Sequence, residues 1–293
     1  MRTHTHYRRR AKQGFSLIQT MVAMATSLFV AYTLAQITLT TSRIGGALTT
    51  RATLQQQGRR SIEQMVQDLQ SGNAIMASYT ARNGTTYRTN TTDTLVLRAP
   101  SYDASGVILS GKNDFIVYKL TPMTAGRNGA PYKLTCLVEN DASGQSARWA
   151  HAEKTIANNV KSANFKYLYR YVTRGNGINL TFGLDTAILG LNSSAVESLT
   201  VGGAPFAIGS DTQVKLLDPI LGLPLGALVF LQPPLPDAVI ELLYAIDPSL
   251  APSQDKISQV SVNLKLEATD PSGTSNNKVQ TVDLSSSAVL RNR

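Results

Sequence analysis

Cysteine is nearly absent from this chain: Cys136 is the only one in 293 residues. No intrachain disulfide is possible, and a structural zinc site of the cysteine type is excluded. An extracytoplasmic domain built from this sequence must hold itself together by burial alone. Histidine is almost as scarce, with His4, His6 and His151. A lone histidine beside a sheet is far more often structural or exposed than a catalytic base, which is the reading for His151 next to Trp149. There is no G-x-S-x-G, P-loop, H-E-x-x-H or EF-hand loop. No enzymatic activity, cofactor or metal is expected. Proline does not occur before Pro100, and residues 15–39 contain no charged side chain.

The charge that is present is unevenly placed. Apolar residues make up 42% and charged residues 16%, so a packed core is within reach and global disorder is excluded. The net charge is +9. Arg2, Arg8, Arg9, Arg10 and Lys12 stand ahead of Gly14 with no acid among them, which leaves +4 for the remainder. The high isoelectric point is largely a property of the N-terminus, and it is not read as a nucleic-acid footprint.

Residues 15–39 read FSLIQTMVAMATSLFVAYTLAQITL. At about 1.5 Å per residue, such a helix exceeds the roughly 30 Å hydrocarbon core of a bilayer. The basic run before it keeps the N-terminus cytoplasmic and sends the bulk of the chain outside. An ordinary secretory signal has an apolar run of about 7–15 residues with a small-residue cleavage site after it. This run is longer. A plain single-span anchor is the other ordinary reading, and composition alone leaves it open.

Beyond residue 39 the pattern turns polar but stays helical. Ile62, Met65, Val66 and Leu69 form one amphipathic stripe, with Gln, Arg and Glu on the other faces. A single helix from residue 15 to about 72 is expected, weakest at Gly45-Gly46, where a kink is anticipated, and stopped by Gly72-Asn73. Short strand patterns follow at 94–98, 114–120, 132–139, 260–267 and 279–284, separated by turn residues. Phe165, Tyr167, Tyr169 and Tyr171 alternate with Lys166, Leu168, Arg170 and Val172, so the rings face one side of a strand. Core packing accounts for the rings and solvent for the charges. The fold class expected is α+β: one long helix packed on a mostly antiparallel sheet spanning 73–293.

Residues 184–252 break the strand rhythm, with eight prolines and several glycines. They read as an insertion in the sheet domain. A loop excursion with a short helix near 237–245, capped by Asp237, is one reading. An exposed apolar surface for a partner subunit is the other. Asp211, Asp218, Asp237, Asp247 and Asp255 are read as solvated loop acids; they could bind calcium only if the fold gathered them with carbonyl oxygens.

Between the basic and apolar stretches lies the string Gly14-Phe15-Ser16-Leu17-Ile18. It resembles the signal of type IV prepilins and pseudopilins. That resemblance implies a basic leader, 1–14, removed after Gly14 by a dedicated peptidase, with methylation of Phe15. Cutting ahead of the apolar run leaves a mature chain that begins with its own membrane helix. Such a helix leaves the bilayer by exchanging lipid for the helices of sister subunits. The family usually carries Glu at the position held here by Gln19, and a carboxylate in hydrocarbon needs a partner. Gln19 offers hydrogen bonds without charge, which suits a subunit with a special place, such as a filament tip. Residues 60–75, 156–171 and 287–293 further resemble the large minor pilins of the PilW type and the J-type pseudopilins of type II secretion.

The function this resemblance implies is that of a minor subunit that starts or caps a type IV pilus or a type II secretion pseudopilus. The partners implied are the prepilin peptidase, other major and minor pilins or pseudopilins, the inner-membrane assembly platform and, before assembly, membrane lipid. The expected location is the inner membrane, single-pass, with the globular domain outside, and afterwards the filament. A pilus-borne adhesin or DNA-uptake receptor and an unrelated single-pass ectodomain are the alternatives.

Overall fold

In the computed structural model the described residues are 16–123, 132–141, 144–179, 181–183, 196–208, 214–217, 227–246, 257–269 and 279–290. One helix, α1 (Leu17–Ser71), precedes fifteen strands. These are β1 (Ala74–Ile75), β2 (Ser78–Thr80), β3 (Thr86–Arg88), β4 (Thr94–Tyr102), β5 (Ile108–Pro122), β6 (Tyr132–Glu139) and β7 (His151–Arg174). Then come β8 (Thr181–Gly183), β9 (Val196–Val201), β10 (Ala204–Phe206), β11 (Val214–Leu217), β12 (Ala227–Phe230), β13 (Val239–Ile246), β14 (Ile257–Thr269) and β15 (Val279–Val289). The chain forms two compact units, Met1–Thr49 and Thr50–Arg293, each described by itself.

In the first unit the described residues are helical from Leu17 onward, and the helix runs through Gly45-Gly46 without interruption. In the second unit the stripe Ile62, Met65 and Leu69 is buried, joined by Leu54, and Val66 is half-buried. These side chains share one core cluster with Phe165, Tyr167 and Tyr169 of β7 and with Val262, Leu264 and Leu266 of β14. Helix and sheet thus bury each other's apolar faces, the α+β arrangement the pattern called for.

Every described strand pairing is antiparallel. The main sheet runs β1-β4-β5-β6-β7-β13-β9-β10, with the hairpin β14-β15 attached to β7. The 24 residues of β7 let three strands share it. Strand β6 pairs with its first stretch, β14 with its middle and β13 with its end. On β14 the alternation is read directly as burial: Val260, Val262, Leu264 and Leu266 are buried while Ser261, Lys265 and Glu267 are not. The run Leu95-Val96-Leu97 is buried on both faces, because α1 covers one face and the hairpin β2-β3 the other. On that second face Tyr79 stacks on Phe115 with ring centroids 4.2 Å apart.

Two glycines let the helix approach the sheet. A Cβ on Gly58 would lie 2.4 Å from Leu284 Cδ1 and 2.8 Å from Leu266 Cδ1. The helix ends at Ser71, as Gly72-Asn73 foretold, and a Cβ on Gly72 would lie 2.3 Å from Leu97 Cδ1. Gly72 is therefore demanded by proximity.

The expected helix near 237–245 is not there. Val239–Ile246 is strand β13, bonded to both β7 and β9. Asp237 caps nothing; it sits in the preceding turn with φ of 60°. The segment VIELLYAI fits both periods, and its sheet partners decide it: Ile240, Leu242 and Tyr244 alternate inward and are buried. Residues 184–252 contribute more than a loop excursion. Their described parts supply β9 to β13, including two strands of a three-stranded sheet, β11-β12-β8. The turn residues between the strand patterns at 260–267 and 279–284 lie, from 270 to 278, outside the described residues.

Candidate functional site

The start of α1 is built by its own side chains. Ser16 Oγ accepts from the Gln19 backbone N–H at 3.3 Å, and Gln19 Oε1 accepts from the Ser16 N–H at 3.1 Å. This reciprocal pair satisfies two of the donors that a helix N-terminus leaves open. Gln19 thus has a local role that its spacing from Ser16, three residues, announces in the sequence and that the reading above missed. Gly14 and Phe15 lie outside the described residues.

From Leu17 to Leu39 the helix presents large apolar side chains on all sides: Leu17, Ile18, Met21, Leu28, Phe29 and Ile37 are among those exposed. It is a candidate membrane span by length and composition. The hydroxyls within it are turned inward on the backbone. Thr20 donates to the Leu17 carbonyl, Thr26 to Val22, Ser27 to Ala23, Thr33 to Val30 and Thr38 to Leu34, at 2.7–3.0 Å. Every serine and threonine between residues 17 and 39 is satisfied this way. That arrangement suits hydrocarbon, where an unpaired hydroxyl is costly.

In the second unit the end of α1 is fastened by a buried ionic cluster. Asp114 on β5 is fully buried; its Oδ1 accepts from Ser101 Oγ at 2.7 Å and from the Asp141 N–H at 3.1 Å, and its Oδ2 from Ser146 Oγ at 2.7 Å. Arg148 Nε lies 3.3 Å from Asp114 Oδ2, and Arg148 Nη1 3.5 Å from Asp68 Oδ1 on the helix. The same guanidinium covers the Tyr102 ring at 5.3 Å. The Tyr118 hydroxyl donates to Asp68 Oδ2. Burial pushes the Asp68 carboxyl above its ordinary value, against the Tyr118 hydroxyl and the Arg148 and His151 charges. Burial, then the nearby Asp68 charge, pushes the Cys136 thiol up to about 12. Cys136 is therefore an inert core residue.

Arg148 also lines a cavity of about 570 Å³ shared by Asn73, Arg98, Tyr102, Ile108 and Lys112. His151 donates Nδ1–H to the Ala152 carbonyl at 2.8 Å, since a carbonyl can only accept. Trp149 is 83% exposed. Among the described residues no group of three His, Cys, Asp or Glu side chains is placed to hold a metal. Asp237 is exposed, and Asp211, Asp218, Asp247 and Asp255 lie outside the described residues.

No family model matches this chain, and neither a curated protein nor a solved structure does. Its function has to be argued from its own residues.

The tyrosine strand is divided largely as its alternation implied, but Leu168 is buried and Tyr171 is half-buried. Phe165, Tyr167 and Tyr169 are buried, and the Tyr167 hydroxyl donates to the Asn90 carbonyl at 2.8 Å. Lys166 and Arg170 face outward and pair with Glu197 and Glu241. With the rings in the core and these cations paired, this strand offers no stacking platform for nucleic acid.

Proposed function

We propose that this chain is a minor subunit of a membrane-assembled filament of the type IV pilin or pseudopilin kind, and that it starts or caps the filament. It acts by binding and assembly. The observation that carries this reading is the division of labour along α1. Its Leu54–Leu69 stretch supplies the core of a β domain, while its 17–39 stretch exposes apolar side chains on every side and keeps its hydroxyls to itself. A helix of that kind needs lipid at first and other apolar helices later. The Gly14-Phe15 junction ahead of it supplies the cleavage point, and the lack of a carboxylate at Gln19 argues for a single, terminal place over a repeating one.

Mass spectrometry of the mature N-terminus tests the reading. A chain beginning at methylated Phe15 is expected. An intact Met1, or a cut downstream of residue 39, would overturn it. A filament count in cells lacking the protein then tests the initiating role: few or no filaments are expected, and normal numbers would leave no part for it in assembly.

A further inference from the structure

The cavity beside Arg148 has no part in the filament reading. It lies wholly within the Thr50–Arg293 unit, where the end of α1 meets the β4-β5 hairpin. Among the described residues around it, Arg98, Lys112 and Arg148 are cationic and none is acidic. Its volume of about 570 Å³ falls in the range of small-molecule pockets, roughly 300–1,000 Å³.

The hairpin is irregular at this place. Pro100 pairs with Asn113 and Tyr102 with Ile108, so Ser101 alone stands opposite residues 109–112. A bulge bends its strand and re-aims the side chains on it. Gly111, with φ of 68°, supplies the left-handed residue at that point. All four bulged residues line the cavity, Lys112 among them.

The three cations are not equivalent. Arg148 shares its charge with Asp68 and the fully buried Asp114. Arg98 is steered by Asn73: its Nε donates to Asn73 Oδ1 at 3.3 Å, and Asn73 Nδ2 donates in turn to Asn113 Oδ1 at 3.4 Å. Lys112 is half-buried and has no hydrogen bond or ion pair among the described residues. Asp103, the acid at the tip of the hairpin, is spent on its own turn. Its Oδ1 accepts from the N–H groups of Ser105 and Val107 and from the Ser105 hydroxyl at 2.6–3.0 Å. A half-buried ammonium gives up water without gaining a partner, and an oxyanion in the cavity would be that partner. Tyr102 and Ile108 add apolar surface to the same lining.

We propose that this cavity binds a small organic anion. Its oxyanion head, a carboxylate or a phosphate, is held by Lys112, Arg98 and Arg148, and its apolar body lies against Tyr102 and Ile108. A concave pocket with a few cations and an apolar wall selects for both parts of such a ligand. The β domain thus carries a ligand site of its own, and that site stands or falls apart from the role of α1.

Fluorine NMR titration of the full chain in nonionic detergent tests it. The probes are para-fluorobenzoate, para-fluorophenyl phosphate and the uncharged para-fluorobenzyl alcohol. At least one anion is expected to bind with a Kd of about 1 mM or tighter, and the alcohol at least about tenfold more weakly. The tighter of the two anions identifies the head as carboxylate or phosphate. Lys112→Gln should weaken that anion about tenfold. Lys154→Gln, at a cation on β7 that does not line the cavity, should leave it unchanged. Near-ultraviolet circular dichroism checks that both variants are folded, and the comparison of anion with alcohol on the unaltered chain decides alone if Lys112→Gln is not. Binding of neither anion, or binding of the alcohol as tightly as of the anions, overturns the proposal. Equal losses in the two lysine variants also overturn it, in favour of general attraction to a basic surface. None of these outcomes touches the filament reading, which the mature N-terminus decides.

Discussion

Replacing Gly72 with alanine is a sharp test of how α1 meets the sheet. The new Cβ would stand 2.3 Å from Leu97 Cδ1, 2.9 Å from its Cγ and 3.1 Å from Cδ2. Leu97 is fully buried between Ile75 on β1 and its β5 partner Ile116, so its head cannot simply swing away. Overpacking of this kind costs about 1–3 kcal/mol. The φ of Gly72 is not in the left-handed region, so alanine recovers about 0.4–1 kcal/mol of unfolded-chain entropy. The net expectation is a loss of up to about 2.6 kcal/mol, or a fall in Tm of up to about 10 °C for a domain of this size. Thermal unfolding of the full chain in detergent, followed by near-ultraviolet circular dichroism, reads it. A double-mutant cycle with Leu97→Ala sharpens the test. Leu97→Ala alone costs about 2–5 kcal/mol through its cavity, but the alanine methyl at position 72 falls into that cavity. The double variant should therefore be more stable than the sum of the singles by about 1 kcal/mol. Gly45→Ala is the contrast, since nothing lies within 4 Å of its Cβ and helix propensity favours it by about 1 kcal/mol. A neutral Gly72→Ala together with an additive cycle would refute the close approach as the reason for glycine.

The remaining expectations concern the buried cluster. Arg148→Met leaves the fully buried Asp114 without its cation and should cost about 3–5 kcal/mol in urea unfolding; a loss below about 1 kcal/mol would show that Ser101, Ser146 and the Asp141 N–H suffice. Asp68 has a raised pKa in the folded chain, so the folded state holds its proton more tightly than the unfolded state. Its contribution is fully present below the unfolded value of about 4 and is lost as pH rises through the folded value. Asp68→Asn should remove that downward slope from the pH dependence of stability, and an unchanged slope would contradict the assignment. Cys136, with a thiol pKa near 12 and no exposure, should resist iodoacetamide at pH 8 in the folded protein and react once it is unfolded; rapid labelling of the native chain would show that the core opens there.

Much of the architecture was legible because its periods are clean. The stripe Ile62, Met65 and Leu69 and the alternations on β7 and β14 each match one template only. Strand β13 was not legible, because Val239-Ile240-Glu241-Leu242-Leu243 satisfies a helical stripe as well as a strand, and only pairing with β7 and β9 separates them. Asp68, Asp114 and Arg148 carried no local signal. They are 46 and 34 residues apart in succession, and the topology of β4 to β7 is what brings them together. The capping pair Ser16 and Gln19 is legible in the three-residue spacing of a hydroxyl and an amide at the start of an apolar helix.

The attachment of the β14-β15 hairpin sets an order of events. Gly58 on the helix is roofed by Leu266 and Leu284, and β7 lacks its middle neighbour until β14 arrives. Those strands are synthesised some two hundred positions after the helix they cover. Contacts of such long sequence separation form slowly. On the proposed topology, the helix would already be anchored in the bilayer while its core-facing half waited for β14 and β15 to cross. During that interval the protein would be exposed to proteases and to aggregation. Export would have to carry β14 and β15 across before the domain could close, which links the moment of assembly to the passage of those two strands.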